Sequence, residues 1–174
     1  MHSRIFVLRQ VEEGKKLPSI SNCNCVTEDE LSDSFVPHHA DYVSLEREEE
    51  DWNYDIKWLV DCYSDMFTII KENNETFLVL DTDKVSNYLV EMFNKFKEVS
   101  SKITENDFCS PYSMNMYELQ MIINDETGFW IINIDEQSGW YYETFDSFLR
   151  NCYIEKETSK TIKFRVEDIF DYHF

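Results

Sequence analysis

Glycine and proline are scarce, three of each in 174 residues. So few leave no room for flexible linkers or low-complexity segments, and they remove most of the backbone nests that cradle phosphate groups. No apolar run approaches the roughly twenty residues that span a bilayer. The opening MHSRIFVLRQ also lacks the apolar core and small-residue cleavage site of a secretory signal. A cytoplasmic protein with no membrane partner is the expectation. Cations are few as well: sixteen Lys and Arg stand against thirty-five Asp and Glu, a net charge of −19. Such a surface repels nucleic-acid phosphates and anionic lipid headgroups, which argues against direct DNA or RNA binding. No G-x-S-x-G or comparable nucleophile signature occurs, and two of the four histidines, His2 and His173, lie near the ends of the sequence. Nothing identifies an enzyme.

What is present is apolar and aromatic material. Hydrophobic residues make up 43% and aromatics 16%, including thirteen Phe, ten Tyr and four Trp. Each buried ring removes a large apolar area from water, so the chain can build a core and is no disordered acidic tail. At this length the expectation is a single compact domain over residues 1–174. Five cysteines, at 23, 25, 62, 109 and 152, are an odd number, and Cys62 and Cys152 sit in apolar periodic runs. That pattern predicts reduced, partly buried thiols, not a disulfide framework.

Periodicity predicts the elements. RIFVLRQV (4–11) reads as a buried strand, and Thr27 with Glu30 forms the capping box of a short helix. A short strand is expected at 42–46. Ile56, Leu59, Val60, Tyr63, Phe67 and Ile70 keep helical spacing, predicting one helix over 53–72. TFLVLD (76–81) is a second buried strand. Val85, Tyr88, Leu89, Met92, Phe93 and Phe96 mark a helix over 83–99, followed by a polar loop over 100–113. YELQMIIN, GFWIINID and GWYYE read as a three-stranded antiparallel meander, with a helix at 144–153 and a final strand and short turn after it. The predicted class is α+β: a mainly antiparallel sheet with about three or four helices packed on one face.

Two constellations carry possible metal chemistry. Cys23 and Cys25 with His38 and His39 offer four zinc ligands, but Cys-x-Cys is tighter than the common knuckle, and adjacent His side chains diverge. Asp81 and Asp83 at a strand end could hold a divalent cation for a metal-assisted hydrolase. Helix capping by Thr82 or Asp83 accounts for the same residues more simply. No cofactor is implied.

The charge distribution is more specific. Residues 28–65 hold thirteen acids and two bases, so −11 of the total −19 falls in this segment. Its densest part, SLEREEEDWNYDIKW, threads Glu46, Glu48, Glu49, Glu50, Asp51 and Asp55 with Trp52, Tyr54 and Trp58. A helix N-terminus favours some of those carboxylates, but not so many. Glu28, Asp29 and Glu30 add a second acidic turn. Carboxylates interleaved with aromatics suit a basic protein groove: charge steers the encounter, and Trp52, Tyr54, Phe35 and Tyr42 would anchor it. Trp130, Trp140, Tyr141 and Tyr142, beside Asp135, Glu136 and Glu143, form a second candidate surface. The expectation is a non-enzymatic acidic inhibitor of a nucleic-acid-acting protein, of the kind found among DNA-mimicking anti-CRISPR and anti-restriction proteins and nuclease immunity proteins. An acidic assembly or scaffold subunit is the further alternative, and its sign would be a large exposed apolar patch.

Overall fold

Ile5, Phe6, Val7 and Leu8 are all 1% exposed or less. Successive strand residues face opposite sides, so a strand this dry must be covered on both faces. A computed structural model of the chain shows how. It describes residues 2–12, 14–18, 26–46, 48–63, 65–110, 112–123, 128–135, 139–155 and 159–173.

The seven described strands are β1 (His2–Gln10), β2 (Tyr42–Leu45), β3 (Phe67–Glu72), β4 (Glu75–Asp81), β5 (Trp130–Asp135), β6 (Gly139–Thr144) and β7 (Thr161–His173). They form one sheet in the order β3-β4-β7-β1-β5-β6. β7 pairs with β1 along its length, with β4 over Thr161–Arg165, and with β2 over Phe170–His173. Every pairing is antiparallel except β1 with β5. The α+β class is what the structure shows.

Helices lie on both faces. α3 (Glu49–Cys62), α4 (Thr82–Lys102) and α7 (Phe145–Glu155) bury Ile56, Leu59, Val85, Phe148 and Leu149 against Phe6, Leu8, Phe164 and Val166. On the opposite face, α1 (Glu28–Ser34) and α2 (Val36–His39) pack around Leu31 and Phe35 against Ile5, Val7, Phe170 and Tyr172. That face also holds buried charge: Arg9 and Arg165 both donate to Glu167 Oε1, at 2.8 and 2.7 Å. α5 (Glu105–Cys109) and α6 (Met114–Ile123) complete the chain, α6 packing on α4.

Several expectations change. The one-face arrangement fails because β1 and β7 are apolar at both parities. Seven helices are described, not three or four. YELQMII belongs to α6, and the Asn124 that follows lies outside the described residues; the meander keeps only its β5–β6 hairpin, and Ser113 Oγ accepts from Met116 N at 3.2 Å and starts the helix. The helix expected over 53–72 ends at Cys62, and Phe67 and Ile70 lie in β3. Between β3 and β4, Asn73 and Asn74 take φ of 51° and 64°, the left-handed pair of a tight hairpin turn, which Asn tolerates better than most residues. The loop expected over 100–113 contains α5. Asp81 itself caps α4, its carboxylate accepting from Asp83 N and Lys84 N, in place of the expected Thr82 or Asp83. β7 runs on to His173 in place of the expected closing turn, and Phe174 lies outside the described residues. Cys152 is buried as expected, whereas Cys62 and Cys109 are exposed.

Candidate functional site

The capping box of α1 is present. Thr27 N donates to Glu30 Oε2 at 2.8 Å, and Glu30 N donates to Thr27 Oγ1 at 3.2 Å. Glu28 accepts from the Leu45 backbone N–H, which ties the first turn of α1 to the end of β2. α3 starts four residues later, with Glu49, Glu50 and Asp51 in its first turn and Glu48 before them. Both acidic helix N-termini are therefore tied to the end of β2, that of α1 by a hydrogen bond and that of α3 by the chain that leads into it. Each helix dipole favours its carboxylates by about 0.3–1 kcal/mol. Asp29, Glu30, Glu48, Glu49, Glu50 and Asp51 are exposed, and Glu28 and Glu46 are half-buried. Glu48, Glu49, Glu50 and Asp51 have no ion-pair partner among the described residues.

Asp55 differs from its neighbours. Four residues after Asp51, it turns onto the sheet and is fully buried. Arg4 Nε donates to its Oδ2 at 2.6 Å. Arg4 also donates to Asp171, whose Oδ2 meets His2 Nδ1 at 2.9 Å. Burial works against the Arg4 cation, but the hydrogen bond and charge of Asp55, helped by Asp171 and Glu46, outweigh it and hold the guanidinium above its ordinary pKa. Burial pushes Asp55 up, opposed by the Arg4 bond. Asp55 is thus a pin between α3 and β1, and it cannot stand in for an exposed phosphate.

Glu46 reports the field of this corner. Its pKa is raised, first by burial and then by repulsion from Asp51 and Asp55, with Arg4 pulling the other way. A cation arriving here would relieve that repulsion.

The proposed anchors separate. Tyr54 is 66% exposed, on the outer side of α3. Tyr42 is exposed and stacks on His173, with ring centroids 5.5 Å apart and planes 5° from parallel. Trp52 is half-buried against the core, as is Trp58, which sets its edge against Phe129 at 4.9 Å. Phe35 is fully buried, edge-on to Trp130, Tyr142 and Tyr172. It is a core residue and no anchor.

The other candidate sites disperse. Cys23 and Cys25 lie outside the described residues. His38 is exposed, while His39 packs 4.5 Å from Trp130, where burial, then His38, lowers its pKa. Among the described residues no three His, Cys, Asp or Glu side chains come together as a metal site. On the hairpin, Trp130, Trp140 and Tyr142 pack inward on the α2 side, leaving Tyr141 exposed. Glu143 is half-buried between Asn133 and Asn151, and burial raises its pKa. Of that second candidate surface, Tyr141 is exposed and Glu143 half-buried, while the side chains of Asp135 and Glu136 lie outside the described residues.

Sequence reasoning missed Arg4, the residue that orients α3. The available signal was a lone cation ahead of an apolar strand, RIFVL. It also missed that α4, α5 and α6 turn apolar side chains outward. Compared with protein-family models, curated proteins and solved structures, the chain matches none.

Proposed function

We propose that this chain is a non-enzymatic acidic blocker. Its α1–β2–α3 corner would occupy the nucleic-acid groove of a basic partner such as a nuclease or a CRISPR or restriction effector. The observation that supports this is that Glu28 in the acidic first turn of α1 binds Leu45 N, at the end of the strand that leads into the acidic first turn of α3. Glu48, Glu49, Glu50 and Asp51 take the place of phosphates and pair with Arg and Lys of the groove. Helix rise is about 1.5 Å per residue, and duplex charge spacing along the axis is about 1.7 Å, so successive carboxylates offer comparable charge density. Asp29 and Glu30 extend the row, while Tyr54 and Tyr42 supply apolar contact at its edges.

The test is capture on the immobilised chain at low salt, elution with rising salt, and displacement of the captured protein's own nucleic-acid substrate. A basic nucleic-acid-acting protein should elute only at high salt. Glu48/Glu49/Glu50→Lys, checked for fold by circular dichroism, should weaken its capture at least ~100-fold, since each of several charged pairs contributes roughly 1–3 kcal/mol. Equal capture by that variant, or no displacement of nucleic acid, overturns the reading. The assembly alternative is favoured by one observation, the exposed apolar side of the α4–α6 lobe.

A further inference from the structure

Three strands set two rows of side chains on the sheet face that carries α3. Antiparallel register places His2 of β1 opposite His173 of β7, and His173 opposite Tyr42 of β2. Two residues further along each strand, and so on the same face, Arg4, Asp171 and Ser44 stand in line. Each histidine is held by a carboxylate: His2 Nδ1 meets Asp171 Oδ2 at 2.9 Å, and His173 Nδ1 meets Asp41 Oδ2 at 3.0 Å. An ionised carboxylate only accepts, so Nδ1 carries the proton in both rings, and Nε2 of the neutral imidazole presents a lone pair. Neither Nε2 has a hydrogen-bond partner among the described residues. Both side chains reach solvent, at 55% and 35% exposure. The two ring centroids lie 5.0 Å apart, with planes at 66°.

We propose that His2 and His173 form a binding site for a borderline transition-metal dication such as Zn²⁺. Zinc binds imidazole nitrogen at about 2.0–2.1 Å, so two imidazoles on one tetrahedral ion hold their centroids about 5 Å apart. The observed spacing is that of such a pair. A ligating histidine that gives its other N–H to a carboxylate has its ring and tautomer fixed and its free nitrogen made more basic. Both rings here have that support, and Tyr42, stacked on His173, holds one of them further. Charge favours the ion as well: against the Arg4 cation stand Asp41, Asp55, Asp171 and Glu46. Two protein ligands are fewer than structural or catalytic zinc sites use, so water fills the other positions and the ion exchanges. The donor set gives the preference. Imidazole suits Zn²⁺, Ni²⁺ and Cu²⁺, whereas Mg²⁺ and Ca²⁺ take oxygen ligands and would spread over the acidic surface instead. No spacing in the sequence announces this pair, since only the pairing of β1 with β7 brings the two together. Bound there, the ion links β1 to β7 and stabilises the folded chain.

Isothermal titration calorimetry of the full chain with Zn²⁺, in excess Mg²⁺, tests this. The chain carries Cys23/Cys25/Cys62/Cys109→Ser, because thiolates compete for zinc. The expected result is a single ion per chain at micromolar affinity, with an unfolding temperature that rises as Zn²⁺ is added. His2→Ala and His173→Ala should each weaken binding at least ~10-fold with an unchanged circular dichroism spectrum, since both side chains are partly exposed. Asp41→Asn keeps both imidazoles and should weaken binding about 10-fold through the lost carboxylate. In nuclear magnetic resonance spectra the imidazole signals of His2 and His173, and not those of His38 and His39, should shift with Zn²⁺. Glu48/Glu49/Glu50→Lys should leave the stoichiometry unchanged, which separates this site from the proposed blocker surface. No binding in excess Mg²⁺, or binding that survives His2→Ala or His173→Ala, overturns the proposal.

Discussion

Residues 28–65 carry a net −11, and residues 84–123, a stretch of similar length, carry −1. The first region turns carboxylates out and rings in; the second mixes its charges and leaves rings in the open. The difference comes from what each region packs on. α1 and α3 lie directly on opposite faces of the sheet, so the sheet consumes Phe35, Ile56, Leu59 and most of Trp58. Apart from Tyr42 and Tyr54, the residues left to solvent there are mostly polar. α6 has α4 as its platform, and a single helix offers a stripe, not a plane. One side of α6 satisfies that stripe, and the surplus apolar residues stay uncovered. In this molecule an apolar platform's width decides which surface is left polar and which is left apolar.

Removing the pin of the acidic region should produce the largest effect on stability. Arg4→Ala leaves Asp55 buried without its counter-charge and should cost about 3 kcal/mol in urea unfolding. It should release α3 and reduce capture of a basic partner while the α4–α6 region keeps its helical signal, sharpening the contrast between the two regions. A smaller effect belongs to the α1 cap. Thr27→Ala should cost about 1 kcal/mol by removing the hydrogen bond to Glu30 N, read as a lowered urea midpoint with unchanged slope.

The smallest effect concerns the crowded carboxylates. Glu46 has a raised pKa in the folded protein. Its stabilising contribution is therefore fully present below the unfolded Glu value and is lost as pH rises through the folded one. Glu46→Gln should stabilise the fold at neutral pH, and the gain should shrink to nothing as pH falls through that raised value. A gain that is independent of pH would mean that packing, not repulsion, is responsible.

Much of the fold was legible because long periods are hard to imitate. The 3–4 stripe of α4, the Phe145–Phe148–Leu149–Cys152 face of α7 and the Thr27–Glu30 box each specify one local answer. Short apolar runs do not. YELQMII satisfies a strand or a helix equally until its platform is known, and Ser113 as a cap was the overlooked signal. The phase of Phe67 and Ile70 with the helix before them was accidental; Asn73–Asn74 between two apolar runs marked the hairpin. At the candidate site, the density of charge was legible. The fate of individual residues was not, because Asp51 and Asp55 differ only by a turn of helix, yet one faces solvent and the other Arg4.

The amino-acid sequence by itself determined that this protein is strongly acidic, rich in aromatics and α+β, since composition and long-range periodicity do not depend on which elements meet. The tertiary structure alone decided that Glu28 of α1 binds the end of β2, that Asp55 is a pin, and that Phe93, Tyr112 and Met114 stand exposed. Those are properties of distances between residues far apart along the chain, and only packing sets them.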